Sequence, residues 1–95
     1  MRAILIDWIL NVHLKFKLLP ETLYITINLI DRFLSIQNIE KDRVQLLGIS
    51  ALLIASKYEE IYPPTVKDFV YISKNSFTTS QILDMETQIL FLLEF

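Results

Sequence analysis

Cysteine is absent from these 95 residues, and glycine and histidine occur once each. Without cysteine neither a disulfide nor a thiolate metal site can form, which excludes a small secreted domain stapled by bridges and fits an intracellular setting. A single glycine, Gly48, excludes the phosphate-cradling loops G-x-x-x-x-G-K and G-x-G-x-x-G. A single imidazole, His13, excludes a histidine pair for zinc and the doubled E-x-x-H set of a di-iron bundle. Alone on a helix, it reads as structural. Basic excess is missing too. Nine Lys and Arg against eleven Asp and Glu give a formal charge of -2, which disfavours nucleic acid and anionic membrane as partners, although a local basic patch is compatible with it. The longest apolar stretch, between Arg43 and Lys57, covers 13 positions that include Gln45 and two serines. That is well short of the roughly 20 needed to span a bilayer. The opening MRAILIDWIL has one Arg before apolar residues, but Asp7 interrupts the run and no small-residue cleavage site follows, so it is not read as a signal peptide.

What is present is apolar mass. Hydrophobic residues make up 53% of the chain, and with three prolines and no low-complexity run the composition predicts an ordered, helix-rich domain. Ninety-five residues suffice for one core and leave no room for a second domain. The stretch Val44 to Tyr58, VQLLGISALLIASKY, carries apolar side chains all round the helical wheel and is predicted to be the central helix, packed on every side. Gly48, Ala51 and Ala55 share one side of it. A mid-helix glycine costs about 1 kcal/mol relative to alanine, so close approach of another helix is the expected compensation.

Four further helices are predicted around it, and no strand. The first runs from about Arg2 to Phe16, with Met1, Ile4, Leu5, Trp8 and Val12 in one sector and Ala3, Ile6 and Leu10 opposite. Either it is sandwiched or one face is left for a partner. Pro20 and Glu21, as N1 proline and first-turn acid, open the second helix, to about Ser35, with the stripe Leu23, Ile27, Ile30 and Leu34. Asp31 falls at the margin of that stripe; it either pairs, with Arg2 as the candidate, or points to water beside Arg32. After the central helix, Tyr62-Pro63-Pro64 is a stop. Thr65 with Asp68 predicts a capping box and a short helix to about Ile72. Thr78 with Gln81 predicts a second box, with Phe77 stapling onto Ile82, and a fifth helix continuing to the end. The first helix starts without a preceding cap and the last is still apolar at Phe95, so a fragment of a longer chain is expected.

Two charges sit where the wheel is apolar. Lys57 lies between Leu46 and Leu53 on one flank and Ile54 on the other, and Glu86 lies between Leu93 and Leu90. Either they pair inside the domain, or they bracket a hydrophobic patch and bond a partner. Glu59 and Glu60 are neighbours at a helix end, where solvent or a basic partner is a better reading than acid and base roles. No nucleophile and base come together in the pattern, so the domain is expected to bind and not to catalyse, with no cofactor and no metal.

Taken together and in order, MRAILIDW, ETLYITINLIDRFL, QLLGISALLIASKYEE, YPPTVKDFVYIS and the M-E-x-x-I-L of the fifth helix resemble the N-terminal cyclin box, closest to mitotic A- and B-type cyclins. The resemblance covers nearly all of the chain. It implies an all-α, five-helix cyclin-box fold with helix 3 at its centre, residues 1–95 forming a single N-terminal cyclin-box domain. It also implies a missing preceding helix and a missing second cyclin domain. A cyclin has no activity of its own; it binds and activates a cyclin-dependent protein kinase in cell-cycle control, in nucleus and cytoplasm.

By motif match, Lys57 and Glu86 fall where cyclins hydrogen-bond the kinase near its αC helix. Ile54, Tyr58 and Leu90 match the apolar pocket that receives this helix, and Glu60 and Ile61 match positions near the activation loop. Met1, Ile4, Leu5 and Trp8, with Gln45, resemble the shallow groove that holds Arg-x-Leu motifs of substrates and inhibitors. Asn11 stands where A-type cyclins carry an acid, which weakens the case for steering of a basic motif. Arg2 and Asp31 match an internal, structural ion pair. A cyclin-fold adaptor of transcription machinery is the alternative, and it predicts a basic face with steep salt dependence. A helical enzyme without a cofactor has no residue set behind it.

Overall fold

The computed structural model describes the backbone of residues 2–93 and the side chains of residues 5–93. Five helices follow in the predicted order: α1 (Arg2–Phe16), α2 (Pro20–Ile36), α3 (Val44–Glu59), α4 (Val66–Ile72) and α5 (Thr79–Leu92). A short 3-10 turn, Lys41–Arg43, leads into α3 and was not predicted. No strand occurs among the described residues. α5 closes at Leu92, short of the expected run to the chain end, and the Leu93 amide caps it by donating to the Ile89 carbonyl (3.0 Å).

α3 is the axis of the bundle. Its residues Leu46 to Ser56 are all buried, with α2 and α5 along its flanks and α1 crossing it at Gly48. A Cβ built on Gly48 would lie 2.8 Å from Leu5 Cδ1 and 3.0 Å from Ile9 Cδ1, which is the close approach expected of that glycine. The serines of α3 survive burial because their hydroxyls are satisfied. Ser50 donates to the Ile82 carbonyl on α5 (3.2 Å), and Ser56 donates back to the Leu52 carbonyl.

Two predicted faces are rotated. The buried line of α2 is Thr22, Thr26, Leu29, Ile30 and Phe33, while Leu23, Ile27 and Leu34 are only half-buried. Hydropathy misplaces this stripe because it scores threonine as polar. Here Thr26 donates its hydroxyl to the Thr22 carbonyl (2.8 Å), so its methyl packs in the core without an orphaned oxygen. On α1 the core line is Leu5, Ile9 and Val12, Trp8 is at its edge, and Leu10 and Leu14 face out.

Connections are built from local hydrogen bonds. α1 ends with Lys17 at φ 54°, where the Leu18 amide reaches the His13 carbonyl and the Lys17 amide reaches the Leu14 carbonyl, each at 3.2 Å. His13, 9% exposed, donates from Nε2 to the Leu19 carbonyl (2.8 Å), which is the structural role expected of a lone imidazole. Both predicted capping boxes are formed, Thr65 with Asp68 and Thr78 with Gln81. The Phe16 ring meets Phe69 edge-on at 5.2 Å, fastening α4 to α1. No helix among the described residues is long and apolar enough to cross a membrane.

Candidate functional site

The last turn of α3 and the second half of α5 run side by side without filling the space between them. A hollow of about 300 Å³ results, lined by Ile54, Lys57, Tyr58, Glu86 and Leu90. Ile54, 6% exposed, is its floor, the half-buried Leu90 is one wall, and Tyr58, 74% exposed, is the other. Five side chains singled out in the sequence are thus brought together on one surface.

The sequence left open whether Lys57 and Glu86 pair with each other or bracket a patch. Both hold. Lys57 Nζ donates to Glu86 Oε2 at 2.9 Å, across the rim, and the hollow beside them stays open. The Lys57 side chain is 52% exposed and that of Glu86 13%. An ion pair with so exposed a cation contributes only about 0–1 kcal/mol. An ammonium has three donors, and one is used here, so two remain for another molecule's carbonyl or carboxylate oxygens.

Tyr58 also lines a second hollow, of about 330 Å³, on the α2 side of α3, with Tyr24, Ile25, Asn28 and Leu29. Sequence reasoning missed it. The available signal was Tyr24 and Asn28 one turn apart on a helix, with Tyr24 outside the core stripe.

Beyond the end of α3 lie Glu60 and Ile61. Ile61 is 85% exposed and free to touch another molecule. Glu60 is half-buried and already engaged, since its Oε2 accepts from the Leu19 amide (2.7 Å) and from the Thr22 hydroxyl. A carboxylate thereby caps the start of α2, whose own N-cap residue, Leu19, has no side-chain acceptor. Glu60 is therefore held within the domain and not simply turned to solvent. Replacing Glu60 with Ala is expected to cost about 1–2 kcal/mol, because it strips an amide and a hydroxyl of their acceptor, and Glu60→Gln should recover about half. Urea unfolding of the two variants measures this; a loss below about 0.3 kcal/mol for Glu60→Ala would show that the cap is idle.

Of the residues expected to form a groove, Leu5, Trp8 and Gln45 have described side chains. Leu5, 2% exposed, belongs to the core against Gly48, so it offers almost no surface to a ligand. Gln45 is exposed on the first turn of α3. Trp8 is half-buried and lines a hollow with Asn11, Val12, Leu14, Lys15, Ile72 and Lys74. Met1 and the Ile4 side chain lie outside the described residues, as does the expected Arg2–Asp31 ion pair. Among the described residues no group of three His, Asp or Glu side chains converges as a metal site.

Fold and site together define a class: a five-helix domain around a buried central helix, whose conspicuous surface feature is an apolar, ion-pair-rimmed hollow. The chain belongs to the family of cyclin N-terminal domains, which matches it over residues 1–95. It is 61% identical over 90 residues to Cyclin-B1-3 of Arabidopsis thaliana, covering 95% of this chain and 22% of that protein. It is 56% identical over 95 residues to the human G2/mitotic-specific cyclin-B2, covering 100% of this chain and 24% of that protein. Both relatives are B-type, and the chain spans less than a quarter of either. The X-ray structure of a viral cyclin from herpesvirus saimiri superimposes with a TM-score of 0.93 at 29% identity, over 98% of this chain and 41% of that one.

Proposed function

We propose that this domain is the kinase-binding part of a mitotic regulatory subunit, which binds and activates a cyclin-dependent protein kinase in nucleus and cytoplasm and helps recruit substrates through an apolar docking groove near Trp8. The observation that carries the reading is the open α3–α5 hollow with Lys57 and Glu86 on its rim. A hollow of this shape takes the apolar face of a helix, and rim charges fix its register and orientation. The mitotic names of the relatives support a kinase partner over an adaptor of transcription machinery.

Activation follows from linkage. A kinase is active when its β3 lysine pairs with the αC glutamate and its activation loop stands aside. A subunit that touches only the inward αC shifts the balance by its differential affinity, and moving 1:99 to 99:1 takes about 5.5 kcal/mol. Rigidity of the receiving surface matters here, because ordering entropy would subtract from that preference. Ile54 and Glu86 are held on regular helices flanked by fully buried neighbours, Leu53 and Met85. The reading assigns no reaction to the chain itself.

Calorimetry with a cyclin-dependent kinase, comparing wild type with the Lys57→Ala, Glu86→Ala double variant, tests it. Removing both charges leaves neither orphaned, so the loss should be moderate, about tenfold in Kd. Unchanged affinity with an intact circular dichroism spectrum would remove the hollow as the kinase site.

A further inference from the structure

A second surface has a chemistry of its own. The hollow between the C-terminal half of α1 and the end of α4, about 390 Å³, is lined by Trp8, Asn11, Val12, Leu14, Lys15, Ile72 and Lys74. Its base is apolar, with Val12 buried, Trp8 and Ile72 half-buried, and Leu14 70% exposed. Its rim carries two ammonium groups from separate parts of the chain, Lys15 on α1 and Lys74 in the turn after α4, and both are exposed. No carboxylate is among the described residues that line it. The nearest acid on that face of α1, Asp7, sits one turn before Asn11 and outside the hollow. Lys74 is held with φ 56°, and the Lys74 amide donates to the Tyr71 carbonyl (2.9 Å), so its backbone position is set by the helix end. A domain of net charge -2 thus places two cations, with no acid among the described lining residues, over an apolar hollow with a tryptophan in it.

We propose that this hollow binds short extended peptides whose apolar anchor is flanked by acidic residues, the reverse of the basic flank of an Arg-x-Leu motif. The anchor seats against Trp8 and Ile72. The flanking carboxylates face Lys15 and Lys74, and a basic flank meets like charge there. Asn11 is neutral and offers both donor and acceptor to the peptide backbone. The inference rests on the reading of Trp8 as part of a substrate-docking groove, and narrows it to one sign of ligand charge.

Two fluorescein-labelled peptides with the same Leu-Gly-Phe centre, one flanked by three Glu and one by three Arg, are titrated with the protein by fluorescence polarisation at low and moderate salt. The acidic peptide is expected to bind about tenfold tighter than the basic one, with the ratio shrinking as salt rises. The Lys15→Glu, Lys74→Glu double variant should invert the order. Both positions are solvent-exposed, and circular dichroism reports whether the fold is kept. If the basic peptide binds wild type tighter, the charge assignment is overturned and the groove reading survives. If neither peptide binds, both fall. An acidic preference that the double variant leaves unchanged would place the binding elsewhere and overturn the proposal.

Discussion

Tyr58→Ala is expected to weaken binding of a cyclin-dependent kinase at least thirtyfold, roughly the effect of losing an interface hot spot of about 2 kcal/mol, while the domain stays folded. Among the described residues, Tyr58 is the one side chain that lines both hollows beside the end of α3, so its removal takes a wall from each. It is 74% exposed and makes little of the core, so truncation should change stability by no more than about 0.5 kcal/mol. Tyr58→Phe keeps the ring and should retain most of the affinity. Calorimetry beside a thermal melt separates the two effects. Wild-type affinity in a folded Tyr58→Ala protein would mean that the kinase helix is not seated on this face.

Phe69→Ala should do the opposite: unfold without touching the docking face. Phe69 is fully buried, and its ring packs edge-on against Phe16 at 5.2 Å. α4 has only 7 residues, too few to be stable alone, so its docking depends on that ring and on the Thr65–Asp68 box. Emptying a core site of this size costs about 3–5 kcal/mol, which for a domain of this length lowers Tm by more than about 12 °C. Phe69→Leu, which leaves a smaller void, should lose less than half as much. Denaturant unfolding checks both, and a loss under about 1 kcal/mol for Phe69→Ala would show that α4 is held by something else.

The candidate site was legible because charge and periodicity disagreed. Lys57 and Glu86 stood on apolar sectors, and a cation and an acid that interrupt such sectors need a partner or water. The wheel gave their helical faces, yet it carried no information about the distance between two helices. Pairing at 2.9 Å and an open hollow beside it are both outcomes of how α5 lies along α3. The capping role of Glu60 escaped for a similar reason: it joins Glu60 to Leu19 and Thr22, 41 and 38 positions away in the chain. No local pattern carries such a contact. Thr22 and Thr26 escaped because a residue whose hydroxyl is satisfied within its own helix behaves as a small apolar one, which hydropathy cannot register.

Helix order, the two capping boxes, the stop at Pro63-Pro64 and the centrality of α3 were determined by the sequence itself, because each follows from interactions within four residues or from a uniform apolar wheel. The tertiary structure alone decided which α1 leucine became core and which faced out, and that Trp8 and Ile72 line one hollow. It also decided that Lys57 reached Glu86 without closing the space between α3 and α5. Those outcomes depend on the separation and crossing of helices distant in the chain, and packing, which acts through volume and direction, sets them.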